Sequence, residues 1–352
     1  MRASGLAASR LKTATARTAV SLLAALGLLL YAAVQARVSW PTTPGMDLAA
    51  FLGVGRATQA GQDPYGVLPT TPRVTIGGVA VAWPNANPPA LLPLLDLVAP
   101  LDPADAARVW FVLSGSLYAV LLALLLRTYP ARRTVLAVAW AAALVPLWYS
   151  AWLGQIYVPL ALASAGAWLA LERGRSALAG VLLGTLVALK PEFVVWPAAL
   201  LLAGTVAPVA VAAATAIVLS ALPVALFSPV VYAEWLRSVV TYGGLDPTAT
   251  GSVWSIAALA LVGALGLWTW RRRPGSAAVS AAAIVVSLLV SPITWHGYLL
   301  IALPVFFARR LGLAGRAAAV MMLFPFDTLV ILALIGVDLI LGPRNIGTNG
   351  SP

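Results

Sequence analysis

The 352-residue chain has no cysteine, a single histidine (His296) and very little charge, with only 9% of its residues Asp, Glu, Lys or Arg. Without cysteine there are no structural disulfides and no thiolate metal sites. One histidine excludes the multi-histidine zinc centres. A soluble domain carries roughly 25% charged residues. At 61% hydrophobic residues, a water-soluble fold could not hide its apolar surface, whereas a surface facing lipid can expose it without cost. Alternating dyads of the barrel type are absent, so the expected spans are helices. An internal repeat of the transporter kind is also missing.

What the chain does have is a series of Ala-, Leu-, Val- and Gly-rich runs separated by short polar links. The first, about 20–34, follows a basic segment, MRASGLAASRLKTATAR. It has no convincing cleavage site and reads as an uncleaved span. Further runs fall at about 109–126, 134–150, 156–171, 176–190, 193–227 (room for two), 254–270, 277–290 and 297–308. The last block, 314–341, is one long span or a tight pair. The fold class expected is all-α, a polytopic transmembrane bundle of about 10–12 spans. It divides into a cytoplasmic basic N-terminus (1–18), one transmembrane domain (19–342) and a polar tail (343–352).

The net charge of +11 does not form a stripe for nucleic acid. The basic residues cluster between spans, at Arg127, Arg132 and Arg133, at Arg173 and Arg175, at Arg271, Arg272 and Arg273, and at Arg309, Arg310 and Arg316. With the N-terminus in the cytoplasm, alternating spans place all of these inside. The two long polar stretches, 37–108 and 228–252, then face outward in the inner or plasma membrane. So do the links at Gly154-Gln155, Lys190-Pro191-Glu192 and Ser291 to Gly297. The unusual polar residues therefore gather on one side, as an active site at the outer surface requires.

Asp47 opens a segment in which Asp47, Phe51, Val54 and Thr58 share one helical face, predicting an amphipathic helix on the outer interface. Asp47 is then either a favourable first-turn carboxylate or a general base acting on a sugar hydroxyl. Asp63-Pro64 reads as a turn, and Tyr65 as an interface aromatic or a sugar platform. Asn85 and Asn87, in Trp83-Pro84-Asn85-Ala86-Asn87-Pro88-Pro89, bind hydroxyls or cap the next helix. Lys190 pairs with Glu192, snorkels to the headgroups, or meets a phosphate as a point charge. Trp295 and His296 are belt and structural residues or part of the site. Gln155 lies in a short loop. No cluster of acids beside Asp47 calls for a metal, and no cofactor is expected.

In order, an Asp in the first outer loop, G-x-D-P-Y, N-P-P, G-Q, L-K-P and S-P-x-x-W-H resemble glycosyltransferase family 87, from Asp47 to His296. The resemblance implies a GT-C fold. It also implies transfer of a hexose, typically mannose, from a polyprenyl-phosphate donor to an extracytoplasmic glycan or glycolipid. It places the catalytic acid at Asp47, the helix-end lysine at Lys190 and the late aromatic-histidine pair at Trp295 and His296. The implied partners are membrane lipid, the lipid-linked donor and the acceptor. The donor phosphate is then expected near Lys190 and Arg56 or Arg237, and further substrate contacts from Tyr65, Asn85, Asn87, Gln155 and Glu192. The chain departs from the family at Ala203-Gly204-Thr205, where a basic stretch is expected, and at Glu192, where a small or polar residue is expected. The competing readings are a secondary transporter, with Asp327 and Asp338 as its ionisable residues at depth, and a non-catalytic assembly factor.

Overall fold

The structure is a computed structural model that describes residues 2–76, 79–82, 85–243, 251–291 and 295–341. Trp83, Pro84, Pro292 to Thr294 and the tail lie outside the described residues. It is a helical bundle. α1 (Arg2–Val38) carries the first apolar stretch, and its leucines, such as Leu23 and Leu30, remain exposed. α2 (Met46–Gln59) is the helix expected around Asp47. It lies against the bundle, with Leu48, Phe51, Leu52 and Val54 buried. A small antiparallel hairpin follows, β1 (Arg73–Ile76) with β2 (Val79–Ala82), pairing Thr75 with Ala80. The run after Pro88-Pro89 is a 3-10 turn leading into the short α3 (Leu92–Val98).

α4 (Pro103–Thr128) starts where Asp102 accepts from the amides of Ala104 and Asp105, with Pro103 in the first turn. The next span is broken into α5 (Val135–Ala142) and α6 (Val145–Leu153). Pro146 removes a donor at the break. The freed Val145 amide donates instead to the Met322 carbonyl at 3.1 Å, so no backbone donor is stranded in lipid. α6 stops at Gly154, which is left-handed at φ 77°.

α7 (Tyr157–Glu172) is the central helix, packed on α4 and on α8 (Ser176–Leu189). Pro191 ends α8 at Lys190. α9 (Val195–Leu202) and α10 (Val206–Leu226) fill the apolar block read as two short spans. α8 and α10 approach closely through Gly180 and Gly184, where an added methyl would strike Val211 and the Ala212 carbonyl. α11 (Val230–Gly243) lies in the second polar stretch, and α12 (Gly251–Arg272) and α13 (Ser276–Val290) return across the bundle. Trp196 of α9 donates to Ser280 of α13 in the core, at 3.0 Å.

A 3-10 turn from His296 to Ala302 leads into α14 (Leu303–Ala308). The last block is a pair, α15 (Leu313–Met321) and α16 (Thr328–Leu341). Among the described residues, four helical stretches are long and apolar enough to cross a membrane: Thr18–Val38, Pro103–Thr128, Val135–Leu153 and Val206–Leu226. Shorter apolar helices complete the bundle.

Candidate active site

Four links between helices place their polar residues at one end of the bundle. Gly45, just before α2, lies so close to the backbone of Trp152 and Leu153 that a side chain would overlap it. Gly154 abuts Leu48 in the same way. These two contacts seat the first turn of α2, and with it Asp47, on the end of α6.

There the side chain of Gln155 donates to the Asp47 carboxylate. Burial pushes the Asp47 carboxyl up to about 6, opposed by the Gln155 hydrogen bond and the nearby positive charge of Lys190. Gln155 is itself buried, and its Oε1 has no hydrogen-bond partner. Its backbone carbonyl takes the indole of Trp110 at 3.3 Å.

Lys190 sits over a pair of buried tyrosines packed against each other. Its Nζ is 5.3 Å from the ring centre of Tyr298 and 5.9 Å from that of Tyr157. The rings lie 4.5 Å apart, geometry in which an ammonium is attracted by both faces. Lys190 also hydrogen-bonds the Tyr298 hydroxyl. Gly297 permits this close approach, since a methyl there would overlap Tyr157 and Ser150. Glu192 does not form an ion pair with Lys190. Its Oε1 accepts from Ser291 at 3.3 Å and from Tyr298 at 3.4 Å. The one ion pair among the described residues is the exposed Arg108–Asp105.

His296 borders this cluster through Tyr149, whose ring is 6.3 Å away. Its Nε2 donates to the Phe324 carbonyl at 3.3 Å, and its Nδ1 meets the Thr328 hydroxyl at 3.1 Å. Both ring nitrogens are thus engaged with the turn between α15 and α16. Trp295 precedes the 3-10 turn and packs on the core.

The structure therefore brings Asp47, Gln155, Lys190 and Glu192 together, with His296 beside them. Arg56 stands apart, about 13 Å further along α2. Its guanidinium donates to the carbonyls of Ala99 and Leu101, both at 3.1 Å. Tyr65, Asn85 and Asn87 form a different group near α11. Asp63 makes the expected turn, accepting from the Tyr65 amide at 2.8 Å. Neither asparagine caps the following turn.

Sequence reasoning missed Tyr149, Tyr157 and Tyr298. For Tyr157 and Tyr298 the available signal was their position, within two residues after short polar links already singled out; Tyr149, inside α6, offered none. The two carboxylates that a transporter reading needs are both spent on backbone. Asp327 caps α16, and Asp338 accepts from the Gly315 amide at 3.0 Å. No group of three His, Cys, Asp or Glu suited to a metal occurs among the described residues.

An apolar bundle thus carries a half-buried carboxylate and a lysine packed on two tyrosines at one end, and comparison with known families says what class of protein this is. The sequence pattern of glycosyltransferase family 87 matches residues 85–292, more than half of the chain. The chain belongs to this family and is a membrane glycosyltransferase. The matched span contains Gln155, Lys190 and Glu192, whereas Asp47 lies before it and His296 after it. No curated protein and no solved structure matches the chain.

Proposed function

We propose that the protein transfers a hexose, in the first instance mannose, from a polyprenyl-phosphate donor to a glycan or glycolipid, with Asp47 as general base and inversion at the anomeric carbon. The observation that supports this best is the pairing of a carboxyl held near 6 with a tyrosine-clamped lysine at one end of the bundle. Near neutral pH such a carboxyl is largely ionised yet still basic enough to accept a proton.

Asp47 takes the proton of the acceptor hydroxyl. The hydroxyl oxygen bonds to the anomeric carbon as the carbon–oxygen bond to phosphate breaks, and the phosphate leaves with that electron pair. Lys190 balances the charge of the departing phosphate, and its tyrosine clamp holds it in place before reaction, where fixed charge is most effective. Gln155 orients the carboxylate. Glu192 anchors Tyr298 and Ser291, and so steadies the clamp. The lipid tail stays in the bilayer. The arginine distribution supports a GT-C-like arrangement in the inner or plasma membrane, with the N-terminus cytoplasmic and the site extracytoplasmic.

The test uses membranes containing the wild type or Asp47→Asn, each given radiolabelled polyprenyl-phosphate mannose, with glucosyl and arabinosyl donors in parallel. Label should move into a product free of lipid phosphate, and the variant should lose at least about 100-fold at equal expression. Equal transfer by both proteins would remove Asp47 as the base. No transfer from any donor would sink the donor assignment.

A further inference from the structure

A second polar cluster, not used by the transfer step above, lies beside α2. Tyr65 is 2% exposed and its hydroxyl has no hydrogen-bond partner. Asn85 is 8% exposed; its Oδ1 accepts from the backbone and side-chain nitrogens of Asn87, leaving its own Nδ2 and the Asn87 Oδ1 buried without partners. Each such orphan costs on the order of 1–3 kcal/mol, a cost that persists unless something else fills it.

α11 covers these groups. Trp235 donates its indole proton to the Ala86 carbonyl, between the two asparagines, at 3.0 Å. Tyr232 packs edge-on against Trp235, with ring centres 6.3 Å apart, and donates to Ser220. Glu234 and Asp63 both act on Tyr65, whose hydroxyl is pushed well up, first by burial. Arg237 offsets Glu234. The loop leading from Tyr65 returns along α2, where Thr70 touches Gly53, about 9 Å of helix from Asp47.

The chemistry differs from that around Lys190. Amides, a phenol, carboxylates and an indole face can donate to, accept from and stack on a neutral polyhydroxylated ring, while two carboxylates repel a phosphate. We propose that the polar cluster beside α11 is the acceptor subsite, binding a neutral carbohydrate whose hydroxyls pair with Tyr65, Asn85 and Asn87 and whose ring lies on Trp235. This rests on the sugar-transfer reading above.

The test separates the two. Purified full-length protein, without donor, is offered methyl glycosides of mannobiose and of isomaltose, and binding is read by saturation-transfer NMR. At least one glycoside should bind the wild type, and Asn85→Leu and Trp235→Ala should weaken it by about tenfold or more. Trp235→Phe, which keeps a stacking ring, should lose less and guards against a folding defect in the other two. In the transfer assay the variants should raise the acceptor KM and leave the donor KM unchanged. No binding by the wild type, equal binding by wild type and variants, or a raised donor KM would overturn the assignment. Binding that persists in a protein with no transfer activity would retain the subsite and sink the donor reading instead.

Discussion

The two ends of the bundle use their polar side chains differently. At the end carrying the arginine clusters, Glu172 is exposed, yet both its oxygens are engaged. One oxygen takes the Tyr129 hydroxyl at 2.8 Å, the other the Trp168 indole at 2.9 Å, and Arg173 binds Thr128. This group ties α4 to α7. At the other end, Asp47 is half-buried with one side-chain donor, Gln155, and Lys190 packs on aromatic rings, with Asp47 and Glu192 close enough to act on its charge but not paired with it. Under the proposed function, the carboxylate engaged at both oxygens serves stability, whereas Asp47, with acceptor capacity left open, serves the transfer step.

That contrast can be broken from either side. The largest effect is expected at Asp47, where Asp47→Asn should cost at least about 100-fold in transfer. The pH profile sharpens this point. Burial pushes the folded carboxyl up to about 6, above the ordinary carboxylate range, so the wild-type rate should fall as pH drops below about 6, and the residual rate of the variant should not follow it. The same shift favours the folded state only while Asp47 is protonated, and that contribution is lost as pH rises through about 6. Asp47→Asn should therefore unfold no more easily than wild type at pH 8, as thermal unfolding would show. A large loss of stability would instead make Asp47 a structural residue.

Next in size, Lys190→Met should raise the donor KM by about 10- to 100-fold, the range for a lost charge-assisted contact, with Lys190→Arg recovering part of it. An unchanged donor KM would place the phosphate elsewhere. Gly297→Ala should cost about 1–3 kcal/mol through overpacking against Tyr157, with a fall in transfer. The smallest effect should come from the opposite end, where Trp168→Phe gives up about 1 kcal/mol of stability and leaves transfer unchanged. Lost transfer at unchanged stability there would erase the distinction between the two ends.

Much of the bundle was legible because apolar runs and Lys/Arg placement are strong signals. α7 and α8 fall within a residue or so of their expected limits. Gln155, Lys190 and Glu192 were placed on one side by the same alternation. Tyr157 and Tyr298 were not legible, because a tyrosine beside an apolar run has the same pattern whether it packs or clamps a cation. Arg56 shows the converse. An outward cation suggested phosphate, yet the carbonyls near the end of the short α3 needed a donor, a demand visible only in three dimensions. α11 was hidden in a stretch read only as polar, and the break between α5 and α6 gave away its proline but not its partner, Met322.

That partner makes the end of the chain answerable for the beginning of the site. α6, which carries Tyr149 and abuts Gly45 ahead of Asp47, is a half-helix whose first amide is anchored on Met322, and His296 is fastened to Phe324 and Thr328 on the same turn. The α15–α16 hairpin contributes no residue to the proposed chemistry, yet it is the footing on which two sides of the site stand. Shortening the chain before residue 313 would remove no catalytic group and would still be felt at Asp47.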